Sequence, residues 1–115
     1  MSSPAELRRR TKAFAIAIIR FCRTLPYTVE ADVFRRQLLK SGTSVAANYR
    51  AACRGRSNAE TRSRIGVAME ESDESQYWLE LLDEARLGDS AQRGTLLQEA
   101  TELTAIFTTV FYNSR

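Results

Sequence analysis

The chain has 115 residues, a net charge of +3 and a sequence pI near 9.2, with 43% hydrophobic and 27% charged residues. That length supports one hydrophobic core, so a single domain over residues 1–115 is expected, and the composition is too apolar for a disordered chain. No apolar run approaches the roughly 20 residues of a membrane-spanning helix, and the longest candidate, Ala13 to Ile19, has no cleavage-like site, so the cytoplasm is the expected location.

Ser3-Pro4-Ala5-Glu6 opens the first helix: the serine caps, proline takes the first helical position and Glu6 stands where a capping box needs it. Leu7, Phe14, Ile18, Phe21 and Leu25 then recur at helical spacing until Pro26 breaks the run. Thr28 caps a second helix, whose stripe Phe34, Leu38, Val45 and Ala52 crosses Gly42. Ser57-Asn58-Ala59-Glu60 repeats the capping logic for a third, with Ile65, Ala68, Met69, Trp78, Leu79, Leu82 and Ala85 on its apolar side and Gly88 as a left-handed stop. Asp89 or Ser90 caps a fourth, which buries Leu96, Leu103, Ile106, Val110 and Phe111, with Leu97, Ala100 and Phe107 beside them. The expected ranges are 4–25, 29–56, 58–87 and 90–113. Short connections force sequence neighbours to run antiparallel, so the fold class is all-α, an up-down-up-down four-helix bundle.

Composition also limits the chemistry. There is no histidine, which removes the commonest acid–base group and transition-metal ligand together. Cys22 and Cys53 stand apart from any second thiol and are read as buried free thiols. Glu71, Glu74, Glu80 and Asp83 superficially resemble the ExxE and ExxD pairs of all-α nucleotide pyrophosphohydrolases, but both pairs fall on one continuous helix, whereas those enzymes place them on separate helices around Mg²⁺. A ferritin-like metal site needs histidine. No serine or cysteine has an activating base in sequence context. The chain is therefore read as a non-enzyme with no catalytic residues, no metal and no cofactor.

Charge is distributed unevenly. Residues 1–57 carry twelve Lys or Arg against three acids, and residues 58–115 carry five Arg against eleven acids. Arg8, Arg9, Arg10 and Lys12 on the first helix, with Arg35, Arg36, Lys40, Arg50, Arg54 and Arg56 on or just after the second, are candidate phosphate ligands for RNA or DNA. The competing reading is solvated helix surface and salt bridges to the acidic helices, in a protein-partner adaptor without nucleic-acid contact. Few aromatics interleave the basic set, Tyr49 alone, so binding without sequence preference is expected. Gln37, Ser41, Ser44 and Asn48 recur at steps of four, three and four and form a polar seam, expected to pair with Ser72 and Glu74 on the third helix. Tyr77, Tyr112 and surplus apolar surface on the first helix are candidates for an oligomer interface.

Two stretches are more specific than amphipathicity requires: Gln37-Leu38-Leu39-Lys40-Ser41-Gly42-Thr43-Ser44-Val45-Ala46-Ala47-Asn48-Tyr49-Arg50, and Ala68-Met69-Glu70-Glu71-Ser72-Asp73-Glu74-Ser75-Gln76-Tyr77-Trp78-Leu79-Glu80-Leu81-Leu82. With Phe14-Ala15, Phe21, Leu25-Pro26, Glu102-Leu103 and Ile106, they resemble the 23S rRNA-intervening-sequence protein family over nearly the whole chain. The resemblance implies a four-helix protein that forms a homopentamer, has no established enzymatic activity and was first noticed as reading frames inserted in ribosomal RNA genes. A related branch accompanies the reverse transcriptase of diversity-generating retroelements and binds nucleic acid, but this sequence lies nearer the ordinary bundle proteins. Family members often carry glutamate directly after the Asn-Tyr-Arg triplet, where this chain has Ala51 and Ala52.

Overall fold

In the computed structural model, which describes residues 3–114, each of four helices begins on a side-chain cap. These are α1 (Pro4–Cys22), α2 (Val29–Cys53), α3 (Asn58–Ala85) and α4 (Ser90–Asn113). Ser3 Oγ accepts the Glu6 amide at 3.1 Å, Thr28 Oγ1 that of Ala31 at 3.3 Å, Ser57 Oγ that of Glu60 at 3.1 Å and Asp89 Oδ2 that of Gln92 at 2.9 Å. Each cap satisfies a donor the helix leaves orphaned and is worth about 1 kcal/mol. Met1, Ser2 and Arg115, the ends of the expected single domain, lie outside the described residues.

Three of the helices end earlier than the apolar periodicity suggests. Pro26 pushes the residue before it out of helical geometry, and Thr24 draws the last turn of α1 closed by donating to the Phe21 carbonyl at 2.7 Å. Leu25 is buried even though α1 stops at Cys22. The amides of Arg54 and Gly55 close the end of α2 on the carbonyls of Ala51 and Ala52. At the end of α3 the left-handed residue is Arg86, at φ 56°, so the stop assigned to Gly88 falls two residues sooner. Arg86 N donates to Asp83 O and Leu87 N to Leu82 O, the paired bonds of a Schellman motif. Gly88 also has a positive φ, 79°, and its missing side chain makes room for Phe21, whose ring would lie 2.6 Å from a Cβ.

Sequence neighbours pack side by side, α1 on α2, α2 on α3 and α3 on α4, and a thinner α1–α4 contact closes the ring. Between α1 and α4 a shallow groove of about 780 Å³ remains, floored by small residues including Ala13, Ala17, Ala91 and Gly94. The bundle is 44 Å long and 24 × 20 Å across. Phe14, Ile18 and Phe21 from α1, Leu38 and Val45 from α2, Leu79 and Leu82 from α3, and Leu103 and Phe107 from α4 fill its axis. Phe107 belongs to the fully buried set rather than beside it, and Ala85 is exposed in the last turn of α3. Burying such a phenylalanine or leucine contributes roughly 1.5–3 kcal/mol. Among the described residues, no helix is long and apolar enough to cross a membrane.

Candidate nucleic-acid interface

The ten basic candidates separate into distinct environments. Arg8 and Lys12 stand one turn apart on α1, as do Arg50 near the end of α2 and Arg54, its C-terminal cap. Antiparallel packing brings the pairs to the same end of the bundle, where they line one groove of about 530 Å³ with Thr11, Ala46, Ala47 and Cys53. No carboxylate lines it. All four cations are exposed, and the alanines keep its floor low. Arg36 and Lys40 are exposed farther along α2, on the same arc as Arg50 and Arg54 by the 3.6-residue repeat. Arg9 is exposed on α1 outside the groove lining, and Arg56 is exposed in the turn after α2.

Two candidates have other work. Arg10 faces α4, donating to Glu99 through Nε at 2.9 Å and Nη2 at 2.6 Å, and to Glu102 at 3.0 Å. The Glu99 hydrogen bond, followed by the other carboxylate contacts, holds its guanidinium above the usual arginine range. Bonds from Gln98 and Arg10 in turn lower Glu102. Arg35 pairs with Asp32, donates to the carbonyls of Leu25 at 3.0 Å and Pro26 at 3.1 Å, and lies over the Tyr27 ring at 5.1 Å. Arg10 thus clips the thin α1–α4 contact, and Arg35 fastens the α1–α2 turn. The salt-bridge reading describes these two, whereas the groove cations make no ion pair within the described residues.

Cys53 opens onto the groove, correcting the expectation of two buried thiols; Cys22 is buried, and loss of solvent pushes its thiol up to about 11. Tyr49, the one aromatic within the basic set, points into the core, 6% exposed and 5.6 Å from the Phe107 ring. Burial pushes its hydroxyl up to about 12.

Residues of the expected polar seam make bonds other than those expected to Ser72 and Glu74. Ser41 meets Ser75 across the α2–α3 interface at 2.8 Å, both residues buried. Asn48 Nδ2 donates to the Ser44 carbonyl and hydroxyl, each at 2.9 Å, and Asn48 Oδ1 accepts from Arg64 Nη1 at 3.2 Å. Ser44 also bonds the half-buried carboxyl of Glu71. Ser72 and Glu74 bond within α3, to the Met69 carbonyl at 3.0 Å and from Trp78 Nε1 at 3.2 Å. Gln37 is half-buried on α2. Ser75 was findable: it stands in the inward register of Ala68, Ser72, Leu79 and Leu82. Nothing in the spacing marks Arg93, which is 6% exposed and donates to Asp83 Oδ1 at 2.9 Å, Leu87 O at 2.8 Å and Gly88 O at 3.0 Å. Tyr77 and Tyr112 are about half exposed, while Trp78 packs edge-on against Phe34 at 6.1 Å. Among the described residues no group of three His, Cys, Asp or Glu is placed to hold a metal ion.

The family model of the 23S rRNA-intervening sequence protein matches residues 5–109, which takes in α2, α3, nearly all of α1 and α4, and the groove. The chain belongs to that family. A crystal structure of a protein of unknown function from the S23 ribosomal protein family of Bacteroides thetaiotaomicron superimposes with a TM-score of 0.81 at 28% identity, over 90% of this chain and 96% of the other. No curated protein matches the chain. The family assignment extends the four-helix architecture to a solved relative and carries no activity with it.

Proposed function

We propose that this member of the family is a non-enzymatic, homo-oligomeric binding protein of the cytoplasm that holds RNA or DNA by its phosphates through the basic face of α1 and α2. The observation that carries the reading is the convergence of Arg8, Lys12, Arg50 and Arg54 on one groove that no carboxylate lines. Counterion release from four phosphates supports a salt slope of about −3 to −4 per copy, and assembly multiplies the contact. Ile16, Ile19, Val29, Val33 and Tyr77 stay exposed on the single chain and support self-association, as the pentamer implied by the family resemblance.

The second reading, a protein-partner adaptor without nucleic-acid contact, is favoured by those exposed apolar residues and by the use of Arg10 and Arg35 inside the fold. Light scattering with and without a structured ribosomal RNA fragment, at low and high salt, separates the two. Expected is a defined oligomer that gains mass with RNA at low salt and releases it at high salt. An oligomer indifferent to RNA at low salt leaves the adaptor.

A further inference from the structure

Building on that proposed phosphate-binding role, we infer that the groove is fitted to double-helical nucleic acid in preference to single strands. Three features of the groove lead to this. First, it has no aromatic stacking surface. Its lining is Arg8, Thr11, Lys12, Ala46, Ala47, Arg50, Cys53 and Arg54. Tyr49 is turned into the core, and none of the exposed tyrosines Tyr27, Tyr77 and Tyr112 lines it. Proteins that hold single strands add aromatic platforms to a basic channel, and each stacked base strengthens binding severalfold or more. That term is missing here.

Second, a surface that contacts only phosphates favours the polymer with the denser charge. A duplex presents one charge per about 1.7 Å of axis, and its counterion release per contact exceeds that of a single strand, with slopes of about 0.9 against 0.7 for each phosphate neutralised. Third, the cations form a straight, rigid track. Arg36, Lys40 and Arg50 share one arc of α2 over about 21 Å at 1.5 Å per residue, and Arg54 caps the end of that helix. On α1, Arg8 and Lys12 form a second row across a floor of alanines. A stiff duplex meets a stiff track without being ordered first, whereas a flexible strand loses conformational freedom on docking. The ligand class is a double-helical polyphosphate, of RNA or of DNA.

The test is fluorescence anisotropy with the full chain and a labelled RNA duplex, compared with its unpaired polypyrimidine strand of the same length, in about 50 mM and about 200 mM salt. A DNA duplex and its strand are run in parallel to separate phosphate spacing from 2′-hydroxyl contacts. Expected is duplex binding about tenfold tighter than the matching strand at the lower salt, with a steeper salt slope. Ala47→Trp, at an exposed position in the groove wall, adds a stacking surface and narrows the gap by roughly fivefold. A strand that binds as tightly as its duplex overturns the duplex preference and leaves the phosphate-binding reading standing. Failure of every nucleic acid to bind at the lower salt overturns both.

Discussion

Ser41 and Ser75 form a side-chain hydrogen bond between two buried positions of the α2–α3 interface, at 2.8 Å. Ser75 also lies 2.9 Å from the Glu71 carbonyl, so each hydroxyl retains a local alternative if the other is removed. Ser41→Ala is expected to cost about 1 kcal/mol, and the Ser41→Ala/Ser75→Ala pair little more, because removing both partners strands neither. Ser75→Leu, which forces a branched chain into a contact built for a serine, is expected to cost about 1–3 kcal/mol. Urea denaturation of the parent, Ser41→Ala, Ser75→Ala, the double variant and Ser75→Leu checks this; single effects that add in the double variant remove the coupling.

Arg93 ties the end of α3 to the start of α4 across their turn. Its guanidinium bridges Asp83 with the carbonyls of Leu87 and Gly88, a fan of donors that an ammonium cannot reproduce. Arg93→Ala is expected to destabilise by about 3 kcal/mol, and Arg93→Lys by about half as much. Thermal denaturation should rank them in that order below the parent; a lysine variant equal to the parent would remove the role of the planar fork.

Arg86 adopts the left-handed conformation that glycine adopts without strain. It is exposed, and its backbone bonds survive any substitution that keeps the turn. Arg86→Gly is expected to stabilise by roughly 0.5–1 kcal/mol, the relief of strain exceeding the added freedom of the unfolded chain. Differential scanning calorimetry should show a rise of a few degrees.

Glu71 sets a pH dependence. Loss of solvent, and then the neighbouring charge of Glu74, raise its carboxyl above the ordinary 4.5, against the Ser44 hydrogen bond and Lys40. A raised carboxylate contributes stability that is present below its unfolded value and lost as pH climbs through the folded one. Glu71→Gln is therefore expected to melt above the parent at neutral pH, with the difference closing as pH falls to about 4.5 and below. Melting curves across that range check the sign; a variant that melts lower at neutral pH reverses it.

Arg10 and Arg50 offer a contrast between fold and binding. Arg10→Ala breaks the bonds to Glu99 and Glu102 and is expected to lower the melting temperature while leaving RNA affinity nearly unchanged. Arg50→Ala, in the groove, is expected to leave melting alone and reduce the salt slope by about one. Paired melting and RNA titrations of the two variants read this directly, and the reverse pattern would take Arg50 out of the phosphate set.

Periodicity was enough to place the helices because every start has a capping residue and every apolar stripe has one inward face. The ends were less legible. Leu25 keeps the apolar register after the backbone has left α1, since burial follows side-chain position and not helical geometry. Likewise, spacing gathered ten cations without saying which face carboxylates. Arg10 and Arg35 resemble their neighbours in sequence, and only the approach of α4 and of the α1–α2 turn separates them from Arg50 and Arg54. Arg93 was invisible for the same reason, because its partners include backbone carbonyls that exist only once the turn has formed.

The slender α1–α4 contact gives the bundle the topology of a strip of helical hairpins rolled until its edges meet. All the broad interfaces join sequence neighbours, so nearly every contact is short in loop-closure terms and the chain is suited to rapid folding. Unrolling along the α1–α4 contact parts no hairpin and breaks chiefly the Arg10 bonds to Glu99 and Glu102.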